Sequence, residues 1–170
     1  MPKKTKFKNK NFYFIETGSF LGDGIQLAID SGFTNIFSIE ISEKYYQYCK
    51  KRFLNNRNLT LIKGDSFYEM EKLLENNKEP FTFWLDGHYS GGDTGFGILE
   101  FPIMEELECI LKREIYGETI YIDDMRILRS LSDNINESKM IEILSKYKKE
   151  FNISYEDSEL AEKDIMIFEY

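Results

Sequence analysis

Apolar and polar positions along this chain fall into two alternating kinds of block. Compact apolar runs recur at residues 11–16, 35–40, 59–63, 81–86 and 119–123, and residues 81–86 are apolar almost throughout. Runs of that length bounded by turn residues predict buried strands. Between them lie stretches with helical periodicity at 22–31, 42–54, 66–75, 98–113 and 136–150. In the first of these, Ile25, Leu27, Ala28 and Ile29 form the apolar face; Gly32 ends it. Ser42 and Ser66 stand where N-caps are expected. Two further strands are predicted at 151–155 and 165–169, with about nine polar residues and no helix between them.

Strands that alternate with helices imply a parallel sheet covered on both faces. The last two strands, lacking a crossover helix, are expected to close the sheet as an antiparallel pair at its edge. The fold class is therefore α/β: a Rossmann-like, three-layer α/β/α sheet, mostly parallel with an antiparallel final strand.

Ligands of such sheets bind beyond the carboxyl ends of the strands. At those ends stand Glu16, Glu40, Asp65, Asp86 and Asp123, all five acidic. The first strand runs into Glu16-Thr-Gly-Ser-Phe-Leu-Gly-Asp-Gly24 and restarts as a helix. A glycine loop of this kind brings bare backbone to a ligand at a helix N-terminus. Glu40 follows Gly18 by 22 residues, close to the ~20-residue spacing at which an acid takes ribose hydroxyls. That leaves NAD, S-adenosylmethionine and adenosine-like ligands. Charge separates them. No Lys or Arg occurs from Asn11 to Glu43, while Glu16, Asp23, Asp30, Glu40 and Glu43 are acidic. Asp23 in the loop would repel a pyrophosphate, whereas a sulfonium and an ammonium welcome carboxylates.

With Gly64-Asp65-Ser66 after the third strand and the closing strand pair, the chain resembles the class I S-adenosylmethionine-dependent methyltransferases from about Asn11 onward. The resemblance implies S-adenosylmethionine as cofactor. It places Glu16 and Gly18 near the methionine moiety, with Ser19, Gly22 and Gly24 in the same loop. Glu40 falls to the ribose and Asp65 to the adenine amino group, with Ser66 beside it.

A second cluster is Trp84-Leu-Asp-Gly-His88 with Tyr121-Ile-Asp-Asp124. Strands four and five are expected to be neighbours, which gathers Asp86, Asp123 and Asp124 at one rim. Three converging carboxylates repel unless a cation or shared proton relieves them, and hard oxygen donors favour Mg²⁺, Mn²⁺ or Ca²⁺. This arrangement resembles the metal-dependent O-methyltransferases of the macrolide-sugar and cephamycin type. The resemblance implies Mg²⁺ on Asp86, Asp123 and Asp124 and a small hydroxylated acceptor such as a sugar or conjugate. The catechol-type relatives place a Lys near the position after Asp86; none follows here, so the base role falls to His88, the only histidine. The catalytic candidates are His88 and Asp86; Asp86 is also a cofactor candidate. Those relatives carry extra N-terminal helices over the site. This chain has a lysine-rich decapeptide instead, so the site is expected to be open, completed by a second copy in a homo-oligomer, or adapted to a large substrate.

Composition narrows the partners. Over 170 residues the net charge is −8, which disfavours nucleic acid, whose phosphates need clustered Lys and Arg. Residues 1–10 carry five lysines and read as a basic flexible tail; residues 11–170 read as one domain. No apolar run reaches the ~20 residues of a membrane span, and the tail lacks the apolar core of a secretory signal. Cys49 and Cys109 lack metal-ligand spacing and read as reduced thiols of a cytoplasmic protein. The rival readings are a methyltransferase-fold binding module without catalysis and an NAD-dependent oxidoreductase.

Overall fold

The computed structural model describes residues 7, 11–87, 95, 97–99, 101–131 and 135–170. His88, the glycine loop around it and most of the lysine tail lie outside the described residues.

The elements run β1 (Tyr13–Thr17), α1 (Asp23–Asp30), β2 (Asn35–Glu40), α2 (Glu43–Arg52), β3 (Leu59–Lys63), α3 (Ser66–Glu75) and β4 (Phe81–Leu85). Then come α4 (Ile103–Leu111), β5 (Thr119–Ile122), α5 (Met125–Leu128), α6 (Glu137–Tyr147), β6 (Asn152–Glu156) and β7 (Ile165–Glu169). They build one seven-stranded sheet of order β3-β2-β1-β4-β5-β7-β6. β1 to β5 are parallel; β7 is antiparallel to both β5 and β6. The order reverses between β1 and β4, and ligands of doubly wound sheets sit at that switch.

Period-two alternation assigns each strand residue to a layer. Ile15, Ile39, Phe83, Leu85, Ile120, Ile122 and Phe168 face α3, α4 and α6, meeting Met70, Leu107 and Leu144. Phe14, Ile36, Trp84, Tyr121 and Ile167 face the other way, with Ala28 of α1. Trp84 is therefore core. Each such side chain contributes about 1.5–3 kcal/mol by leaving water. Phe7 belongs to this second layer, in contrast to a solvated tail: its ring is buried against Phe14, Trp84 and Tyr121, with centroids 5.0, 5.3 and 5.1 Å away.

Several element ends shift by one to three residues from the sequence reading, and three further differences bear on the site. α4 begins after Pro102, not at residue 98, because the residue before a proline is pushed out of the α region. Asp65, not Ser66, caps α3: its carboxylate accepts from Phe67 N at 3.0 Å, which a side chain one residue earlier is better placed to do. The short helix α5 was not anticipated. It follows Asp124, whose φ of 59° turns the chain directly after β5.

Candidate functional site

The carboxyl ends of the parallel strands surround a cavity of about 220 Å³, at the small end for a small-molecule site. Its wall includes Gly18, Phe20, Glu40, Tyr45, Asp65, Ser66, Asp86, Gly87 and Asp124, with Gly95, Gly97 and Leu99 across one side. Four acidic residues, Glu40, Asp65, Asp86 and Asp124, line this space; no Lys or Arg stands in the wall among the described residues.

The glycine loop is positioned by what lies beneath it. Gly18 and Gly22 have φ of 81° and 83°, open to glycine and strained for other residues. A Cβ on Gly18 would sit 2.5 Å from the Asp86 carbonyl oxygen, so the β1 and β4 ends touch through bare backbone. A Cβ on Gly24 would overlap Glu16 Oε1.

Glu16 itself is not in the cavity wall. It lies one layer back, on the α1 face, opposite Ser38 in the β1–β2 register. Ser38 Oγ donates to Glu16 Oε2 at 2.5 Å, and the Ser19 and Ser38 hydroxyls are 2.6 Å apart. Burial pushes the Glu16 carboxyl up to about 8, with the charges of Glu40 and Asp23 adding to it. Of the loop residues expected to bind the cofactor, Gly18 lines the cavity, with Phe20 beside it, while Glu16, Ser19, Gly22 and Gly24 are not in the wall. Asp23 is exposed and pairs with Arg52 at 2.8 Å, and Arg52 also donates to Leu21 O. A basic residue from the end of α2 thus reaches the loop, which the sequence reading did not foresee.

Glu40 is buried at the end of β2 and already holds two backbone donors: Phe20 N at 2.8 Å and Ser42 N at 2.6 Å. A carboxylate offers about four acceptor positions; with the Ser19 backbone also acting on it, an acceptor position is left for a ligand hydroxyl. Burial raises its pKa while those N–H groups oppose the rise. Asp65 accepts Phe67 N on one oxygen and Ile98 N, at 2.9 Å, on the other; Ser66 stands beside it in the wall.

Asp86 lies between these groups and the far rim. Burial raises its pKa well above the usual range, reinforced by Asp123, Asp124 and Glu16. Burial and Asp124 push Asp123 up to about 6. Among the described residues, a further acid joins two of the predicted set. Carboxylate oxygens of Asp123, Asp124 and Asp164 lie within 4.8 Å of one another. Arg126 pairs with Asp124 at 2.5 Å and also with Asp164. Asp164 was missed because it opens β7; yet an antiparallel strand starts at the rim where its parallel neighbours end.

Glu106 was missed as well. It is buried on α4, accepts from Thr17 Oγ1 at 3.3 Å, and leaves Oε1 without a partner near Gly87. Burial pushes it up to about 7. Its signal was an acid in the apolar stripe of Ile103, Leu107 and Ile110. Thr17 and Glu16, adjacent in sequence, thus serve carboxyls on opposite faces of the sheet. Among the described residues, no helix is long and apolar enough to cross a membrane.

No protein-family model and no curated protein matches the chain. Solved structures do. The O-methyltransferase of Bacillus cereus in complex with S-adenosylhomocysteine aligns over 94% of this chain and 73% of its own, with 12% identity and a TM-score of 0.61. TomG of Streptomyces achromogenes, an O-methyltransferase of tomaymycin synthesis in complex with S-adenosylmethionine, aligns over 92% and 72%, at 11% and 0.62. A precorrin-6y C5,15-methyltransferase of Geobacter metallireducens aligns over 97% and 84%, at 15% and 0.61. The chain has the Rossmann-like fold of the class I S-adenosylmethionine-dependent methyltransferases.

Proposed function

We propose that this chain is an S-adenosylmethionine-dependent methyltransferase that O-methylates a small hydroxylated molecule, such as a sugar or conjugate, with assistance from Mg²⁺. The observation that carries the cofactor is the wall of the cavity: four acidic residues with no Lys or Arg among the described residues. That lining suits a sulfonium and an ammonium and repels the pyrophosphate of NAD. The O-methyltransferases among the structural neighbours hold S-adenosylmethionine or S-adenosylhomocysteine, which supports the same chemistry here.

Gly18 offers backbone to the amino-acid end of the cofactor, over a loop shaped by Glu16, Ser19, Gly22 and Gly24. Glu40 takes a ribose hydroxyl on its remaining acceptor position. Asp65 and Ser66 flank the adenine, and Asp86 lies toward the methyl donor. Bound there, S-adenosylmethionine supplies an electrophilic methyl group on a sulfonium. The chain's task is to aim the acceptor oxygen and take its proton. Positioning supplies much of the rate. Asp86, with its raised pKa, holds the acceptor hydroxyl, and His88, two residues on in sequence, is the base we assign.

Asp86, Asp123 and Asp124 are the donors we assign to Mg²⁺; burial raises the pKa of Asp86 and of Asp123, and neighbouring carboxylates add to the rise. Held there, Mg²⁺ would supply a Lewis acid that acidifies the acceptor hydroxyl. Arg126 favours a second reading of the same rim, in which a guanidinium already serves as counter-charge to Asp124 and Asp164. The free Cys49 and Cys109 fit the cytoplasmic setting expected from the sequence. We read residues 11–170 as the working domain and residues 1–10 as a basic appendage.

Thermal shift is the first test. S-adenosylhomocysteine should raise the melting temperature and NAD should not; stabilisation by NAD alone would overturn the cofactor. Glu40→Ala should abolish the shift, since hydrogen bonds to a charged group are worth about 1.5–3 kcal/mol each. Conversion of S-adenosylmethionine to S-adenosylhomocysteine with a panel of hydroxylated acceptors then tests catalysis, and a silent panel would favour a binding module.

A further inference from the structure

Phe20 occupies a conformation that a phenylalanine rarely adopts. Its φ is 44°, with Gly18 and Gly22, also left-handed, two residues to either side. A bulky residue there is strained, and such strain persists where surroundings hold it and function uses it. Burial does not compensate, for the residue is 48% exposed. The backbone is held at both ends instead: Phe20 N donates to Glu40 Oε2 at 2.8 Å, and Phe20 O accepts from Cys49 Sγ at 3.3 Å. So fixed, the ring stands 4.5 Å from that of Tyr45, at 52°, and both line the cavity beside Glu40. The Lys44 ammonium lies 5.2 Å from the Tyr45 ring centre, adding a second restraint on that ring.

We infer that Phe20 and Tyr45 form an aromatic clasp over the nucleoside part of the cofactor, packing on the sugar next to Glu40. This rests on the cofactor reading above and deepens it by assigning the rings to the nucleoside and not to the methionine end. The link is Glu40. One carboxylate fixes the Phe20 backbone and keeps an acceptor position for a sugar hydroxyl, so ring and hydroxyl are set by a common group. The C–H faces of a ribose are apolar and match an aromatic surface. A glycine would adopt this backbone freely; the side chain is what the strain secures.

The test is Phe20→Gly, titrated calorimetrically with S-adenosylhomocysteine and with 5′-methylthioadenosine, which keeps the nucleoside and lacks the amino-acid end. Glycine accepts the left-handed φ, so the ligand-free variant should melt no lower than the parent. Both ligands should lose affinity by the same factor, about tenfold. Tyr45→Ala should reproduce the loss from the other side. Undiminished affinity of Phe20→Gly for both ligands would overturn the clasp and leave the cofactor reading standing. Loss for S-adenosylhomocysteine alone would put the ring at the amino-acid end and overturn it too, and a Tyr45→Ala variant with parental affinities would overturn the pair. Failure of the parent protein to bind either ligand would remove the cofactor reading and the clasp together.

Discussion

Replacing Glu16 with glutamine isolates the cost of burying a carboxyl beneath the glycine loop. The side chain is 1% exposed, takes a hydrogen bond from Ser38, and titrates at about 8 instead of its ordinary 4.5. The folded protein therefore keeps a proton that the unfolded chain releases above pH 4.5. Between those values the folded state binds more protons, so stability falls as pH rises, by about 1.4 kcal/mol per pH unit. The full loss approaches roughly 5 kcal/mol above pH 8, an upper bound because the loop relaxes around the ionised group. Set against a total stability of about 5–15 kcal/mol, that is large. Glutamine keeps the acceptor for Ser38 and has no proton to lose. Urea unfolding of both proteins from about pH 5 to about pH 9 is the assay. Glu106 and Asp123, raised to about 7 and about 6, slope the same way in both and cancel in the difference. Glu16→Gln should gain on the parent steadily with pH. Parallel curves would refute the reasoning, since they would mean that Glu16 is ionised without penalty. The functional corollary is that a cation in the cavity draws Glu16 toward its charged form, so S-adenosylmethionine should bind with release of a proton near neutrality.

Two further outcomes are expected. Gly18→Ala meets both a left-handed φ and the Asp86 carbonyl at 2.5 Å; backbone strain alone costs about 1–3 kcal/mol, so chemical denaturation should show a loss beyond that, and a neutral variant would mean that β1 and β4 can separate. If Mg²⁺ rests on Asp86, Asp123 and Asp124, chelation should lower methyl transfer and Mg²⁺ should restore it. If Arg126 is the counter-ion, chelation changes nothing and Arg126→Met should itself become Mg²⁺-responsive in thermal shift.

The sheet was legible because its central strands β1, β4, β5 and β7 are buried nearly throughout and read as largely apolar runs; β2, β3 and β7 fall where the sequence puts them. Helix starts were less so. Ile98, Leu99 and Phe101 continue an apolar period that Pro102 interrupts, and the proline should have outweighed the period. The strand-end acids were legible as a set but not in their depth. Glu16 and Thr17 show why: adjacent residues of one strand point to opposite layers, so an acid at a strand end can lie under a loop and not in a wall. Arg52 on the glycine loop, and Asp164 beside Asp123, are contacts between distant elements that no local pattern announces.

Asp164 has a consequence for how this protein would vary. Its carbonyl accepts from Met125 N, its carboxylate from Arg126 N, and Ser158 Oγ donates to the same carboxylate at 2.5 Å. The turn between β6 and β7 therefore sets the angle at which the chain leaves β5 through Asp123 and Asp124. A substitution at Ser158, on a loop remote in sequence from the cavity wall, would shift the acidic rim by tilting its anchor. If the chain transfers methyl groups as proposed, acceptor preference would drift through that hairpin while every residue in the cavity wall stayed the same, and a library aimed at new acceptors should begin there.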